Sequence, residues 1–361
     1  ARSLAAYDLI GLQTRADVAN LIDYMGKGVS GRIVPDGRIR LFGRLVSVAS
    51  FPVGIDLADF ANPRRDAGLV QARAAVSRII GVDRLDYTKG LPQKLRAFGR
   101  FLDKYPQYQR QVVLTQIAPP TRESVEAYSG IRQQLETLAG SVNGRFGELD
   151  WVPIHYINRS TPRRRLAGIY RSSRIGMVTP LRDGMNLVAK EFVAAQDGDD
   201  PGVLVLSRFA GAAEELDGAL LVNPYDTAET AAAIGRAARM PRSERVARWR
   251  SMFDHLVEHD AARWRETFLQ ELEPSSRLLR RVVCADLPPG DACVRPTGSQ
   301  VHQHLSPADV RLVAGHNGHD TPVDAVELDG ERSIADRQAL DPQMVDADRK
   351  LRTVDMDLAA G

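Results

Sequence analysis

From residue 75 to about 240 the chain alternates short apolar runs with amphipathic stretches, and few folds accommodate that pattern. The runs are RIIGVD at 78–83, QVVLTQI at 111–117, WVPIHYI at 151–157, IGMVT at 175–179, GVLVLS at 202–207 and ALLVN at 219–223. They are rich in β-branched residues and apolar at successive positions rather than alternate ones, so they read as strands buried on both faces. Between them, Pro92 sits in a first helical turn, and Leu91, Leu95, Phe98, Leu102 and Tyr105 follow at steps of three and four. Val125, Tyr128, Ile131, Leu135 and Leu138 make a second stripe of this kind. Strand and helix in regular alternation predict an α/β fold: a Rossmann-like parallel sheet with helices on both faces.

The flanking segments differ. Residues 1–60 predict one helix at about 7–25, a glycine-rich connection and two strand-like runs, RIRLFGRLVSV at 38–48 and ASFPVGID at 49–56. A polar stretch at 61–75 reads as the link into the sheet. Residues 243–274 read as C-terminal helices, stopped by Pro274. From residue 275 to the end there is no Phe, Trp or Tyr, and from Asp320 onward eleven acidic residues face five basic ones. Such a segment buries too little apolar surface to offset its chain entropy and is expected to be a disordered tail. The expected units are thus 1–60, 61–242, 243–274 and 275–361.

Composition narrows the function. The 48 basic and 46 acidic residues nearly balance, which gives no whole-chain electrostatic case for nucleic acid. Only six of the basic residues are lysines, so each lysine draws attention. Two cysteines, Cys284 and Cys293, argue against a disulfide scaffold and fit a reducing cytoplasm. No apolar run reaches the roughly 18–20 residues that span a bilayer, so a cytoplasmic protein without membrane attachment is expected. His302, His304, His316 and His319 match no zinc spacing, and His155 lies in a predicted strand, where a structural role is expected. No G-x-x-x-x-G-K-[ST] occurs, which counts against a P-loop ATPase.

Ligands of open parallel sheets bind beyond the carboxyl ends of the strands. The predicted strands place Arg84 to Lys89, Pro119 to Arg122, Asn158 to Thr161, Leu181 to Asn186 and Arg208 to Glu214 along that one edge. Arg84 and Lys89 can offer a guanidinium fork and a point charge to a pyrophosphate, with Asp83 and Asp86 holding Arg84 in position. The other reading of the pair is a solvated surface feature. In LRDGMNLVAKE, Gly184 is expected in a tight turn and a helix is expected to start near Asn186, leaving backbone N–H groups for phosphate or sugar oxygens. Asp183 would overhang the loop mouth and suit sugar hydroxyls, while Glu191, eight residues on, would suit a ribose diol. The alternative is an N-capped helix with Glu191 in an i,i+4 ion pair.

The segments VDRLDYTKGLPQKLRAF, TQIAPPTRESVEAYSGIRQQLE, VTPLRDGMNLVAKEFVAAQ and GVLVLSRFAGAAEEL closely resemble the trehalose-6-phosphate synthase family of retaining glycosyltransferases. The match runs from about Tyr7 to Leu272. The resemblance implies a two-domain GT-B fold and transfer of glucose from UDP-glucose to glucose 6-phosphate. It implies that Arg84, Lys89 and Asp183 are catalytic and that the donor is held by Arg84, Lys89, Ile117, Thr161, Asp183, Gly184, Met185, Asn186, Leu187, Val188 and Glu191. Arg122 would reach the acceptor phosphate. The side chain at Thr161 differs from the family's, although the contact there is a backbone one to uracil. No metal and no cofactor are implied, and a homo-oligomer is left open. Residues 1–60 would be the remnant of the acceptor domain, since the family carries roughly a third of its chain ahead of the first helix. That deficit leads to the expectation of a truncated copy that binds UDP or UDP-glucose weakly without turnover. Two other readings stand beside it: a related synthase with another phosphorylated acceptor, such as glucosylglycerol-phosphate synthase, and a non-catalytic nucleotide-sugar-binding module.

Overall fold

The computed structural model describes residues 2–61, 77–120 and 126–272. The expected link at 61–75 beyond its first residue, Arg122, Pro274 and the expected tail lie outside the described residues.

Strand β1 (Leu9–Leu12), helix α1 (Arg15–Gly28) and strands β2 (Arg32–Ile33), β3 (Ile39–Leu41) and β4 (Arg44–Ser50) build a small sheet of order β1-β4-β3-β2. Two expectations are corrected here. Residues 9–12 are not helical: β1 pairs in parallel with β4 from Leu9↔Ser47 to Leu12↔Ser50, and Ile10 joins Met25, Ile39, Leu41 and Val46 in the core of this sheet. The helix begins only after Thr14, whose extended backbone and side-chain hydroxyl cap the N–H of Asp17 at 3.0 Å. The run at 38–48 also divides. Phe42 and Gly43 take φ of 49° and 83°, a two-residue turn with both central residues left-handed, which pairs β3 with β4 as a hairpin.

Helix α2 (Ala58–Ala61) follows, and then the main sheet. Its elements are β5 (Ser77–Val82), α3 (Leu91–Lys104), β6 (Val112–Ile117), α4 (Glu126–Phe146), β7 (Ile154–Ile157), α5 (Arg163–Arg171), β8 (Ile175–Val178), α6 (Leu187–Ala195), β9 (Val203–Ser207), β10 (Leu220–Val222) and α7 (Thr227–Arg239). All six strands are parallel, in the order β10-β9-β8-β5-β6-β7. Neighbouring strand residues feed opposite cores, which explains why the runs are apolar at successive positions. Ile79, Val203 and Val205 pack with Leu95, Phe98 and Ile234 on one side. Ile80, Leu204 and Leu206 pack with Tyr170, Phe192 and Trp249 on the other. The sheet is thus covered on both faces, as the alternation predicted.

The helices expected at 243–274 are α8 (Arg242–Glu258) and α9 (261–272). The break between them has a cause outside the helices. The Cα of Gly54 lies so close that an added Cβ would sit 2.3 Å from the carbonyl carbon of Asp260, and Asp260 then caps the new helix by accepting from the N–H of Arg263 at 2.7 Å.

Candidate functional site

Chain order reverses between β5 and β8, which lie side by side, so the loops leaving their carboxyl ends diverge and open a crevice. The two charged loops meet there. The N–H of Leu181 donates to the carbonyl of Thr88 at 2.7 Å, and Lys89 Nζ lies 2.5 Å from Asp183 Oδ2, with both side chains 15% exposed. Asp183 also ties in the loop after β9: its N–H donates to the Phe209 carbonyl, and its own carbonyl accepts from Gly211, both at 3.1 Å.

Arg84 is exposed and has no polar partner among the described residues. The expectation that Asp83 and Asp86 hold it is overturned. Asp83 turns inward and pairs with Lys94 Nζ at 2.5 Å, whereas Asp86 accepts from the N–H and hydroxyl of Thr88 at 2.8 and 2.9 Å. The alternation of extended backbone explains this: Asp83 and Leu85 are buried and Arg84, between them, faces out.

Helix α6 starts at Leu187, where expected, but it is not N-capped. Asn186 has φ 72° and ψ 86° and makes no cap bond; its Nδ2 donates to Asp183 Oδ2 at 2.9 Å. Among the described residues its buried Oδ1 has no hydrogen-bond partner, nor does the buried hydroxyl of Thr179. The left-handed residue of this loop is therefore Asn186 rather than Gly184, whose φ is not positive. A Cβ added at Gly184 would meet nothing within 4 Å. Met185 is buried and its carbonyl accepts from Ala212 at 2.8 Å, Leu187 is exposed and Val188 is half-buried.

Glu191 forms no i,i+4 ion pair among the described residues. Its Oε1 lies 3.6 Å from Arg163 of α5, and Tyr170 Oη donates to its Oε2 at 3.4 Å. Burial raises its pKa above the usual glutamate value, against the opposing pull of Arg163 and the Tyr170 hydrogen bond. Ile117 and Thr161 stand apart from the charged loops. Both line a cavity of about 430 Å³ with Thr115, His155 and Arg165, and none of Arg84, Lys89, Asp183 or Glu191 lines it. Burial and the charge of Arg78 lower the pKa of His155. Arg122 lies outside the described residues, among which no group of three His, Cys, Asp or Glu is placed to hold a metal ion.

Sequence reasoning missed Lys94, Arg163 and Tyr170. Lys94 had a signal: it falls on the apolar stripe of Leu91, Leu95 and Phe98, a position that faces the core. Arg163 had none, because its approach to Glu191 depends on how α5 packs against α6. The same holds for Glu214, whose Oε2 accepts from the N–H of Arg15 at 3.1 Å and links the loop after β9 to the first turn of α1.

A doubly wound α/β domain whose charged loops converge on its switch point belongs to the class of proteins that offer a ligand crevice at the carboxyl ends of their strands. Comparison with known proteins narrows the class. The chain belongs to glycosyltransferase family 20, which matches residues 1–274. It is 49% identical over 282 residues to a trehalose-6-phosphate synthase of Sinorhizobium fredii, covering 76% of this chain and 61% of that protein. It is 46% identical over 276 residues to that of Klebsiella pneumoniae, covering 75% of this chain and 58% of that protein. A Burkholderia xenovorans synthase solved with glucose-6-phosphate superposes with a TM-score of 0.73 at 45% identity, over 75% of this chain and 62% of that one. An E. coli protein bound with UDP-2-fluoro glucose gives a TM-score of 0.73 at 44% identity, with the same coverage of 75% and 62%. The chain thus spans about three fifths of the length of the relatives it matches. Among the described residues no helix is long and apolar enough to cross a membrane.

Proposed function

We propose that this chain supplies the donor half of a UDP-forming trehalose-6-phosphate synthase, which transfers glucose from UDP-glucose to glucose 6-phosphate with retention of configuration. The observation that carries the reading is the convergence, at one switch point, of Arg84, unpaired among the described residues, the Lys89–Asp183 pair and the uncapped start of α6. In this reading Arg84 and Lys89 take the diphosphate as a charge-assisted fork and a point charge. Asp183 and the backbone from Gly184 to Val188 take the glucosyl group and diphosphate oxygens, and Glu191 accepts from the ribose hydroxyls. Ile117 and Thr161 lie beside the base, and Arg122 meets the acceptor phosphate. As the glycosidic bond breaks, negative charge grows on the departing UDP oxygen. Arg84 and Lys89 stabilise that charge while the acceptor hydroxyl enters on the same face. Relatives whose structures hold glucose-6-phosphate or a UDP-2-fluoro glucose support both substrates.

Calorimetric titration of the chain with UDP, UDP-glucose and uridine tests the donor half. UDP is expected to bind. Arg84→Ala removes a charge-assisted contact worth about 1.5–3 kcal/mol, which weakens UDP at least tenfold and leaves uridine unchanged. Absence of UDP binding at millimolar concentration would overturn the reading.

A further inference from the structure

The main sheet buries a charge pair directly beneath the exposed Arg84. Lys94 Nζ and Asp83 Oδ2 are 2.5 Å apart with side chains 0% and 1% exposed. Gln116, also fully buried, donates from Nε2 to the same carboxylate oxygen at 3.4 Å and to the carbonyl of Ile117 at 3.1 Å. Gly81 makes the space: a Cβ there would sit 2.2 Å from Gln116 Oε1 and 2.9 Å from Lys94 Nζ. Apolar residues of similar volume generally stabilise such a position at least as well, because two ions must be stripped of water. Stability alone is therefore a poor reason for the pair.

Its position supplies a better one. The backbone on either side of Arg84 is pinned, with Asp83 N–H donating to Ile117 and Leu85 N–H to Pro119, both at 3.0 Å. Only the direction of the Asp83 side chain is left to be set. A carboxylate held inward by Lys94 cannot neutralise its own neighbour; without that ammonium, it would leave the core for water and for the exposed guanidinium next to it. We propose that Lys94 is a positioning residue that keeps Asp83 away from Arg84, so that Arg84 stays available for a diphosphate. The inference rests on the proposed donor site.

Its test compares UDP with uridine, which lacks the diphosphate, by calorimetry on the full chain. Wild type is expected to bind both. Lys94→Met is expected to weaken UDP tenfold or more with uridine unchanged. The double variant Asp83→Asn/Lys94→Met, which removes the carboxylate as well, should return UDP affinity to within threefold of wild type. In an Arg84→Ala background, Lys94→Met should cause no further loss. Equal weakening of both ligands would mark a purely structural lysine and overturn the proposal, as would unchanged UDP binding in Lys94→Met or a double variant that stays tenfold weak. If Lys94→Met does not fold, the double variant carries the test on the same threshold. Wild type failing to bind UDP would overturn the donor site and this inference together, whereas normal wild-type binding with any of the contrary variant results overturns the inference alone.

Discussion

Gly184 is a glycine that its own chain does not require. Its φ is not positive and a Cβ would meet nothing within 4 Å, whereas Gly211 approaches the Gly184 carbonyl so closely that its Cβ would lie 1.9 Å from that oxygen. The empty space at Gly184 opens on the proposed donor crevice. Gly184→Ala is therefore expected to change stability by no more than about 0.5 kcal/mol and to weaken UDP-glucose more than uridine. Thermal unfolding and calorimetry check the two halves, and Gly211→Ala serves as the destabilised contrast. Glu191 gives a prediction in pH. Its carboxyl is raised above the glutamate value of 4.5, mainly by burial, so in the folded protein it takes up a proton at a higher pH than usual. Stability linked to that proton is present below the unfolded value and lost as pH rises through the folded one. Ligand binding runs the other way, since ribose hydroxyls need the charged acceptor. Uridine affinity, free of phosphate titration, should fall on acidification beginning above pH 4.5, and Glu191→Gln should flatten that profile. The few lysines turn out to be informative as a set, because Lys89, Lys94 and Lys190 each pair with a carboxylate in this domain. Their rarity was visible in the sequence, but their partners, 94, 11 and 25 positions away, were not.

At the scale of elements, the periodic stretches were legible and the junctions were not. The six strands stand within three residues of their expected bounds, because a run apolar on both faces admits little else inside a covered sheet. Leu9–Leu12 was misread because a short apolar run satisfies helix and strand alike until a partner is present, and β4 is 35 residues further on. Charged residues at the junctions also do structural work there. Asp200, ahead of β9, accepts two hydrogen bonds from Arg174 at 3.0 and 3.2 Å and pairs with Arg245 of α8 at 2.6 Å. Burial opposes its ionisation, but the Arg174 and Arg245 hydrogen bonds outweigh burial and hold the carboxyl at about 2. A depressed carboxylate adds stability above its unfolded value of 3.8, and that stability is lost as pH falls through about 2. Because Asp200 is 42% exposed, solvent screening reduces the effect, and Asp200→Asn is expected to cost about 1 kcal/mol at pH 7. The difference from wild type should shrink below pH 3.8, which denaturant titrations at several pH values would show.

Across the whole molecule, the segment after β4 is where the two sheets are tied. Lys190, next to the proposed ribose ligand, donates to the Val53 carbonyl at 2.8 Å, and Gln13 Oε1 accepts from the N–H of Val53 at 3.0 Å. Helix α9 returns to the same place: Trp264 Nε1 donates to the Phe51 carbonyl at 3.1 Å, and the rings of Phe51 and Phe268 meet edge to face at 5.0 Å. Gly54 lies inside this knot, against the backbone of His259 and Asp260. Gly54→Ala should therefore force the connection away from α9 and destabilise the chain by about 1–3 kcal/mol, while Gly43→Ala, where a Cβ meets nothing but φ is 83°, serves to separate crowding from backbone strain. Chemical denaturation of both variants decides the point. A Gly54→Ala protein as stable as wild type would mean that the close approach is relieved at no cost.

What the sequence determined by itself is the doubly wound sheet and the edge on which its chemistry lies. Both follow from local rules: strand periodicity sets burial, and the parallel order of alternating elements puts every strand-to-helix loop at the carboxyl end. It also placed the start of α6 near Asn186, from the polar residues that break the apolar run of β8. The tertiary structure alone decided which charges face each other. Lys89 meets Asp183, Asp83 turns to Lys94, Arg163 reaches Glu191 and Arg84 is left unpaired among the described residues, because these contacts depend on how helices and loops distant in sequence pack around the switch point. A loop's composition states which charges it carries; only the packing around it settles which of them are spent on the fold and which remain for a ligand.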